Sequence, residues 1–313
     1  MNASQLELEG VLKLTRDQRK AAETMGLEEV RFLVDQYYQI QDFRKAGENM
    51  TKASADSDEP FLFTAWLAGQ LNVLETSVRS MLDRYSGATV LGKAVREVIG
   101  IGPVLAAGLL AHIDITKAPT VGHIWRFAGL DPTSSWGEGQ KRPWNAKLKV
   151  LCWKIGESFV KVSGHPEDLY GKVYAARKEQ EHGRNVRGEL ADQAASALKN
   201  KRFRKETDAY AWYSGCLIPA IFEGWEELNS AERTARVKGR RGVPGSGLAM
   251  LPPAHIHARA KRYAVKLFLS DYHRAGYLLE YKQEPPKPYV LEHCPGHAHI
   301  WTAPWVDDLK GVA

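Results

Sequence analysis

The stretch that decides the fold runs Val98-Ile-Gly-Ile-Gly-Pro-Val-Leu-Ala-Ala-Gly-Leu-Leu-Ala111. A helical segment over Gly92–Val98 leads into Gly100-Ile101-Gly102, and an apolar helix is predicted to begin at Pro103. The glycines permit a tight turn with positive φ, and proline suits the first turn of a helix because its missing N–H has no partner there. Such a turn presents backbone N–H groups and a helix N-terminus to a phosphate. This helix-hairpin-helix pattern therefore predicts duplex DNA as the partner, held through its backbone phosphates.

Composition narrows the class of protein. The 313 residues carry 43 Lys and Arg against 37 Asp and Glu. From Lys141 to Lys205, 16 basic residues stand against 7 acidic ones, a cluster that fits either a surface following a nucleic-acid backbone or a solvated helical face. No run of 18 apolar residues exists, so no contact with a membrane is predicted. The absence of a signal-peptide pattern and the three scattered cysteines predict a cytoplasmic location.

The predicted fold class is mostly α: a helical bundle with the hairpin module and a long helical C-terminal region. Residues 16–87 place apolar side chains at helical spacing without an alternating strand pattern. Ala146–Val162 predicts a basic amphipathic helix, and His255–Tyr281 predicts the last long helix. Five regions are expected: N-terminal helices (1–90), the hairpin module and its loop (91–165), a charged and aromatic helical region (166–229), a basic flexible linker (230–250), and the last helix with a Pro-, Trp- and His-rich tail (251–313).

Three consecutive blocks carry a resemblance to a known family. They are Ile99–Ala111, Val121–Arg126 and Phe127-Ala-Gly-Leu-Asp-Pro132. Together they resemble the C-terminal domain of the insertion-sequence transposases that act as bridge-RNA-guided recombinases. The resemblance extends over residues 92–162. It implies a protein that acts on duplex DNA.

The resemblance also implies a nucleophile. In that family a Gly-Leu-x-Pro segment leads into a loop with a catalytic serine and then into a basic helical stretch. Here Gly129-Leu-Asp-Pro132 leads into Thr133–Arg142. The matching nucleophile is Ser135, or Ser134. The family also carries an N-terminal nuclease-like α/β domain with four acidic residues, which the helical spacing of the first 90 residues does not predict here.

A weaker resemblance is to the helix-hairpin-helix DNA glycosylase superfamily, whose members place a catalytic Asp downstream of the hairpin. Gly100–Gly102 followed by Val121–Arg126 fits that arrangement, but Gly122 takes the position of the carboxylate. Base excision by the usual mechanism is therefore not expected. Another reaction on an extruded base, such as adding a group to a modified pyrimidine, stays open.

Candidate functional residues cluster near the hairpin and on the last helix. Aromatic faces beside basic residues suit base stacking or insertion into a duplex, although tryptophans also fill cores, the interpretation favoured for Trp125 and Trp153. Glu138 is a candidate general base, and the alternative is a loop carboxylate that is only solvated. His123 is a candidate catalytic side chain, and the alternative is a histidine that caps a helix or lies in the core. The predicted DNA contacts are Gly100, Ile101, Gly102, Trp136, Lys141, Arg142, Trp144, Lys147, Arg259, Arg262 and Lys266.

The densest set of metal-ligating residue types lies near the C-terminus, in Glu292-His-Cys-Pro-Gly-His-Ala-His299. Cys294, His297 and His299 are candidate zinc ligands, with His255, His257 or His293 as a fourth. The spacing matches no common zinc module, so a cluster without metal is favoured. The sequence indicates no other cofactor.

Three functions remain open from the sequence. The first is a transposase-like DNA-binding protein, enzymatic but without the usual nuclease domain. The second is a DNA-base-modifying enzyme from a phage or mobile element. The third is a DNA-binding accessory protein without catalysis. The aromatic and histidine-rich segments beyond the hairpin exceed what a simple clamp needs, which favours an enzyme.

Overall fold

The computed structural model describes residues 10–53, 61–216, 223–224, 227–237, 245, 247–287 and 303–311. Every regular element within these ranges is helical, which confirms the mostly α fold class. None of the described helices combines the length and apolar character needed to cross a membrane. The α-helices are α1 (Arg16–Ala21), α2 (Leu27–Ala53), α3 (Leu62–Gly87), α4 (Val90–Arg96), α5 (Pro103–His112), α6 (Val121–Phe127), α7 (Ala146–Val162), α8 (Tyr170–Val186), α9 (Ala191–Asn200), α10 (Asp208–Tyr213), α11 (Ser230–Val237), α12 (Pro253–Tyr281) and α13 (Pro304–Asp307).

The chain divides into two compact units, the first formed by Met1–Ile155 with Phe268–Ala313 and the second by Gly156–Leu267. In the first unit α2 and α3 are an antiparallel pair. Arg44 Nε donates to Glu75 Oε2 at 2.5 Å, and a Cβ added to Gly47 would lie 3.2 Å from the Cβ of Ala68. The small residues let the two helices approach closely along this part of the pair.

α5 is the central helix of the first unit. Val104–Leu109 and Ala111 are all buried, and the helix packs against both α2 and α3. A helix that is apolar on every side is expected to be covered on every side. Gly108 permits the contact with α7, because a Cβ there would lie 2.8 Å from Cδ2 of Leu151.

α7 forms as the sequence predicts, from Ala146 to Val162. Asn145 caps it, since its Oδ1 accepts the N–H of Leu148 at 3.0 Å. The five residues predicted for its apolar face are at most 3% exposed: Leu148, Leu151, Cys152, Ile155 and Phe159. Local periodicity and one capping residue therefore fix this helix.

The second unit is organised around a buried carboxylate on α8. Glu181 is fully buried and forms ion pairs with Arg177, with Arg184 at 3.4 Å and with Arg259 at 3.0 Å. Burial of a charge is tolerated only with such partners. Asn185, one turn further, exchanges two side-chain hydrogen bonds of 2.9 Å with the backbone of Leu251, which joins α8 to the segment before α12.

The expected flexible linker at 230–250 is wrong in its first part, where α11 occupies Ser230–Val237. Asn229 and Glu232 form reciprocal capping bonds: Asn229 Oδ1 accepts the N–H of Glu232 at 3.1 Å, and Glu232 Oε2 accepts the N–H of Asn229 at 2.8 Å. This capping box starts a helix. The Asn-x-x-Glu spacing that forms it is visible in the sequence as Asn229-Ser-Ala-Glu232. Residues 238–244 and 246 lie outside the described residues.

Candidate nucleic-acid interface

The glycine-rich turn joins α4 to α5. Gly100 has φ +97°, and the N–H of Ile101 donates to the carbonyl of Val98 at 2.9 Å. Ile101 is 3% exposed, so this predicted DNA contact anchors the turn in the core instead of facing outward. The helix before the turn spans Val90–Arg96 and ends two residues earlier than predicted.

The second glycine of the turn has a different role from the first. Gly102 has φ −83° and ψ 176°, which is ordinary extended backbone, so the expectation of positive φ there is wrong. The turn needs only one left-handed residue, because α5 begins directly after Gly102 with Pro103 as its first residue. Gly102 is exposed, and a Cβ there would meet nothing within 4 Å. Internal packing therefore does not require glycine at this position.

α6 and the turn after it position the following loop. The N–H of Leu130 donates to the carbonyl of Trp125 at 2.8 Å, and Gly129 takes φ +65°, which ends the helix in the left-handed manner typical of glycine. A Cβ at Gly129 would lie 2.8 Å from Cγ of Trp144 and 3.0 Å from Cδ of Lys149. The turn thus packs directly on the end of the loop and the start of α7.

Two of the predicted catalytic residues differ in their surroundings. The Ser134 hydroxyl donates to Oδ2 of Asp131 at 3.4 Å, while Oδ1 of Asp131 accepts from the backbone and side chain of Thr133 at 2.9 and 2.8 Å. Ser135 is exposed and forms no hydrogen bond with another residue of the described chain. Asp131 therefore fixes the start of the loop and leaves the second serine accessible.

The other two catalytic candidates are not joined to the serines by any contact among the described residues. Glu138 is exposed at the tip of the loop. His123 is exposed on α6, and its Nδ1 lies 3.0 Å from Oγ1 of Thr120. The histidine side chain therefore contacts Thr120, the residue directly before its own helix.

The loop residues Trp136 and Trp144 form an aromatic and basic cluster, called here the tryptophan cluster, with Arg142 and Lys149. The two rings meet edge to face with centroids 6.3 Å apart. The Arg142 guanidinium lies 5.0 Å from the Trp136 centroid, and Lys149 Nζ lies 4.1 Å from that of Trp144. Trp136 Nε1 donates to the carbonyl of Gln140 at 2.7 Å, which holds the ring in place while it remains 45% exposed.

The basic residues around this cluster are not equivalent. Lys141 and Arg142 are exposed. Lys147 pairs with Asp35 of α2 at 2.5 Å but keeps 60% of its side chain exposed. Lys149, which the sequence analysis did not select, is exposed and belongs to the tryptophan cluster. Its position one residue after the buried Leu148, about 100° around α7 from the apolar face, was the available signal.

The favoured core position of Trp153 is wrong, because the residue is 58% exposed. Trp153 lies about 100° around α7 from Cys152, outside the stripe that the five buried residues occupy. Val150 is also 53% exposed. Trp125 on α6 is half-buried.

The basic row predicted on the last helix lies in the second unit, whereas the turn and the tryptophan cluster lie in the first. Arg259 is engaged with Glu181 at 3.0 Å and donates to Oε1 of Gln193 at 2.6 Å. Arg262 is exposed and Lys266 half-buried. The three residues thus have distinct environments despite their helical spacing.

The predicted zinc ligands Cys294, His297 and His299 lie outside the described residues. Within the described ranges, no three His, Cys, Asp or Glu side chains are grouped to hold a metal ion. His255 and His257 contact tyrosines: their Nδ1 atoms lie 2.9 and 2.7 Å from the hydroxyls of Tyr213 and Tyr174. Burial lowers the pKa of both histidines, which favours their neutral form.

Residues 92–143 match the Transposase IS116/IS110/IS902 family. This match confirms the transposase resemblance for the segment that contains the turn, α5, α6 and most of the loop. No curated protein and no solved structure matches the chain. The matched segment therefore includes the turn and most of the loop of the candidate interface, and it ends before Trp144 and Lys149.

Proposed function

We propose that this protein acts on duplex DNA as a transposase-like protein, and that the turn at Gly100–Gly102 and the tryptophan cluster hold the DNA backbone. The observation that carries the proposal is the transposase match of residues 92–143, because that segment contains the turn and the part of the tryptophan cluster formed by Trp136 and Arg142. A helix-hairpin-helix clamp binds phosphates through backbone groups and is indifferent to sequence.

The geometry of the turn supports this assignment. The first N–H groups of a helix have no partner within the helix, and they carry a partial positive charge. In α5 these first N–H groups follow Gly102, which is exposed and has no side chain. The space beside its Cα atom is open. A phosphate can approach the backbone closely at such a position, and a larger residue would obstruct it.

The tryptophan cluster supplies the charge and the aromatic surface. Lys141 and Arg142 are exposed, and the Arg142 guanidinium lies over the Trp136 ring. Basic side chains bind the phosphate backbone, and exposed aromatic rings provide surfaces on which bases stack. The cluster therefore adds side-chain charge to the backbone contacts of the turn.

Ser135 is the proposed nucleophile. Its hydroxyl is accessible, whereas that of Ser134 is bound to Asp131. Attack of Ser135 Oγ on a DNA phosphorus would form a serine–phosphate bond and release one strand end as a free hydroxyl. The proton of Ser135 would pass to a base, for which Glu138 in the same loop is the candidate.

Fluorescence anisotropy with short labelled duplexes of unrelated sequence tests the binding surface. Gly102→Leu is expected to weaken binding to every duplex similarly. Replacement of Lys141 and Arg142 by Gln is expected to flatten the dependence of log K on log salt by about 1 for each lost phosphate contact. Lys199→Gln, an exposed lysine of the second unit, is the matched control. A loss that depends on duplex sequence, or one no larger than in the control, would contradict the proposal.

Incubation with supercoiled plasmid tests the reaction. Nicked or joined strands and a protein–DNA adduct are expected, and Ser135→Ala should abolish both. Mass spectrometry of the nucleosides provides the alternative readout. An altered base with intact strands would favour base modification, and binding without any change in the DNA would favour an accessory role.

A further inference from the structure

A cavity of about 290 Å³ lies in the second unit. Its walls come from α8 and from one residue of α11. They combine cationic, polar and apolar groups, which is typical of a ligand site. The lining residues are Glu179, Gln180, His182, Gly183, Val186, Arg187 and Arg233.

The cavity contains a buried cation that is paired with a largely exposed carboxylate. Arg233 is 7% exposed, and its Nη1 and Nη2 donate to the Glu179 carboxylate at 3.2 and 3.4 Å. Charge-assisted bonds of this type are usually about 2.7–2.9 Å long, so this fork is loose. The Glu179 side chain is 61% exposed, which lets the carboxylate turn into solvent when another anion takes its place.

His182 is the second unusual group in this cavity. The residue is 7% exposed, and its imidazole forms no hydrogen bond with another residue within the described ranges. Burial, with a smaller contribution from the charge of Arg233, lowers the pKa of His182 to about 4. The imidazole is therefore neutral near pH 7 and offers one N–H donor to a ligand.

We propose that this cavity binds the phosphate monoester group of a small ligand. The Arg233 fork and the His182 N–H can together serve three oxygens, as a phosphate presents, whereas a carboxylate has only two. Arg187, which is paired with Glu189 at 2.9 Å, lies at the edge, and Val186 and Gly183 leave an apolar surface for the body of the ligand. The volume lies at the lower end of ligand pockets, which fits a group the size of one nucleotide.

Nuclear magnetic resonance of the His182 ring in the full chain tests this site, with inorganic phosphate as the first probe. A saturable shift of the ring signals is expected, together with a rise in the His182 pKa, because the anion stabilises the protonated imidazole. Arg233→Gln should weaken phosphate binding at least tenfold. Arg204→Gln removes an exposed arginine of the same unit and should leave the binding unchanged.

Gly183→Leu provides a second variant that keeps the Arg233–Glu179 pair. The nearest atom to a Cβ at Gly183 is Nη1 of Arg187 at 3.1 Å, the end of a flexible side chain, so the new side chain can extend into the cavity. It should block phosphate while circular dichroism shows an unchanged fold. No saturable His182 shift, or a shift that survives both Arg233→Gln and Gly183→Leu, would overturn the proposal.

Two further probes distinguish the source of the phosphate. A mononucleotide and an oligonucleotide with a 5′-terminal phosphate are compared at the same concentration. Tighter binding of the mononucleotide indicates a free small molecule, and tighter binding of the oligonucleotide indicates a DNA end. Either result supports the site, because both ligands present the same group. The proposal is overturned if neither the mononucleotide nor the oligonucleotide shifts the ring signals of His182.

Discussion

Gly129 controls how the tryptophan cluster packs, and Gly129→Ala tests that role directly. Its φ of +65° lies in the left-handed region, where an L residue costs about 1–2 kcal/mol. The added methyl would lie 2.8 Å from Cγ of Trp144 and 3.0 Å from Cδ of Lys149. Forcing extra volume into packed side chains costs about 1–3 kcal/mol more. The expected loss in the free energy of unfolding is about 2–5 kcal/mol in total.

Gly139→Ala separates the two contributions. Gly139 lies in the same loop with φ +77°, and a Cβ there would meet nothing within 4 Å. This control should lose only the backbone contribution of about 1–2 kcal/mol. Urea titrations followed by tryptophan fluorescence measure both variants. Equal losses would refute the packing role of Gly129, because the contact with Trp144 is what distinguishes the two glycines.

Three further changes have defined outcomes. Lys282→Gly should raise the unfolding midpoint in urea, by about 1 kcal/mol in free energy, because Lys282 has φ +57° just after α12. Asn145→Ala should cost about 1 kcal/mol through loss of the α7 cap, while Asn145→Asp, measured by the same titration, should retain most of the stability. Burial lowers the pKa of His112 from 6.5 to about 4, so the unfolded chain takes up a proton between these values and stability falls with falling pH. Between about pH 7 and pH 5 this amounts to about 2 kcal/mol, and His112→Leu should show a correspondingly flatter pH dependence of unfolding.

Local sequence predicted much of the fold. Ala146–Val162 was correct at both ends because an asparagine cap and a regular apolar face act within one helix. The turn was predicted by Gly100 and Pro103, whose backbone preferences are local. The helix at Ser230–Val237 was missed although its capping box was legible, because the basic residues and glycines that follow suggested a linker.

The candidate site was predicted less completely. The segment was correctly placed, and the exposure of Trp136, Lys141 and Arg142 agrees with the expected surface. Ile101 was expected to face DNA but is buried. Sequence periodicity showed that α5 is apolar. It could not show which residues of the turn are buried in the core and which are exposed.

The sequence by itself determined the helical fold class, the glycine turn and the transposase-like segment, because each depends on backbone preferences or on patterns within short stretches. Only the tertiary structure decided the partners of the charged residues. Lys147 pairs with Asp35, Arg259 with Glu181, and Arg233 with Glu179, at separations of tens of residues. Such pairs form when distant helices pack, and their geometry depends on long-range contacts that periodicity does not encode. The phosphate site proposed at Arg233 and His182 follows from packing of this kind.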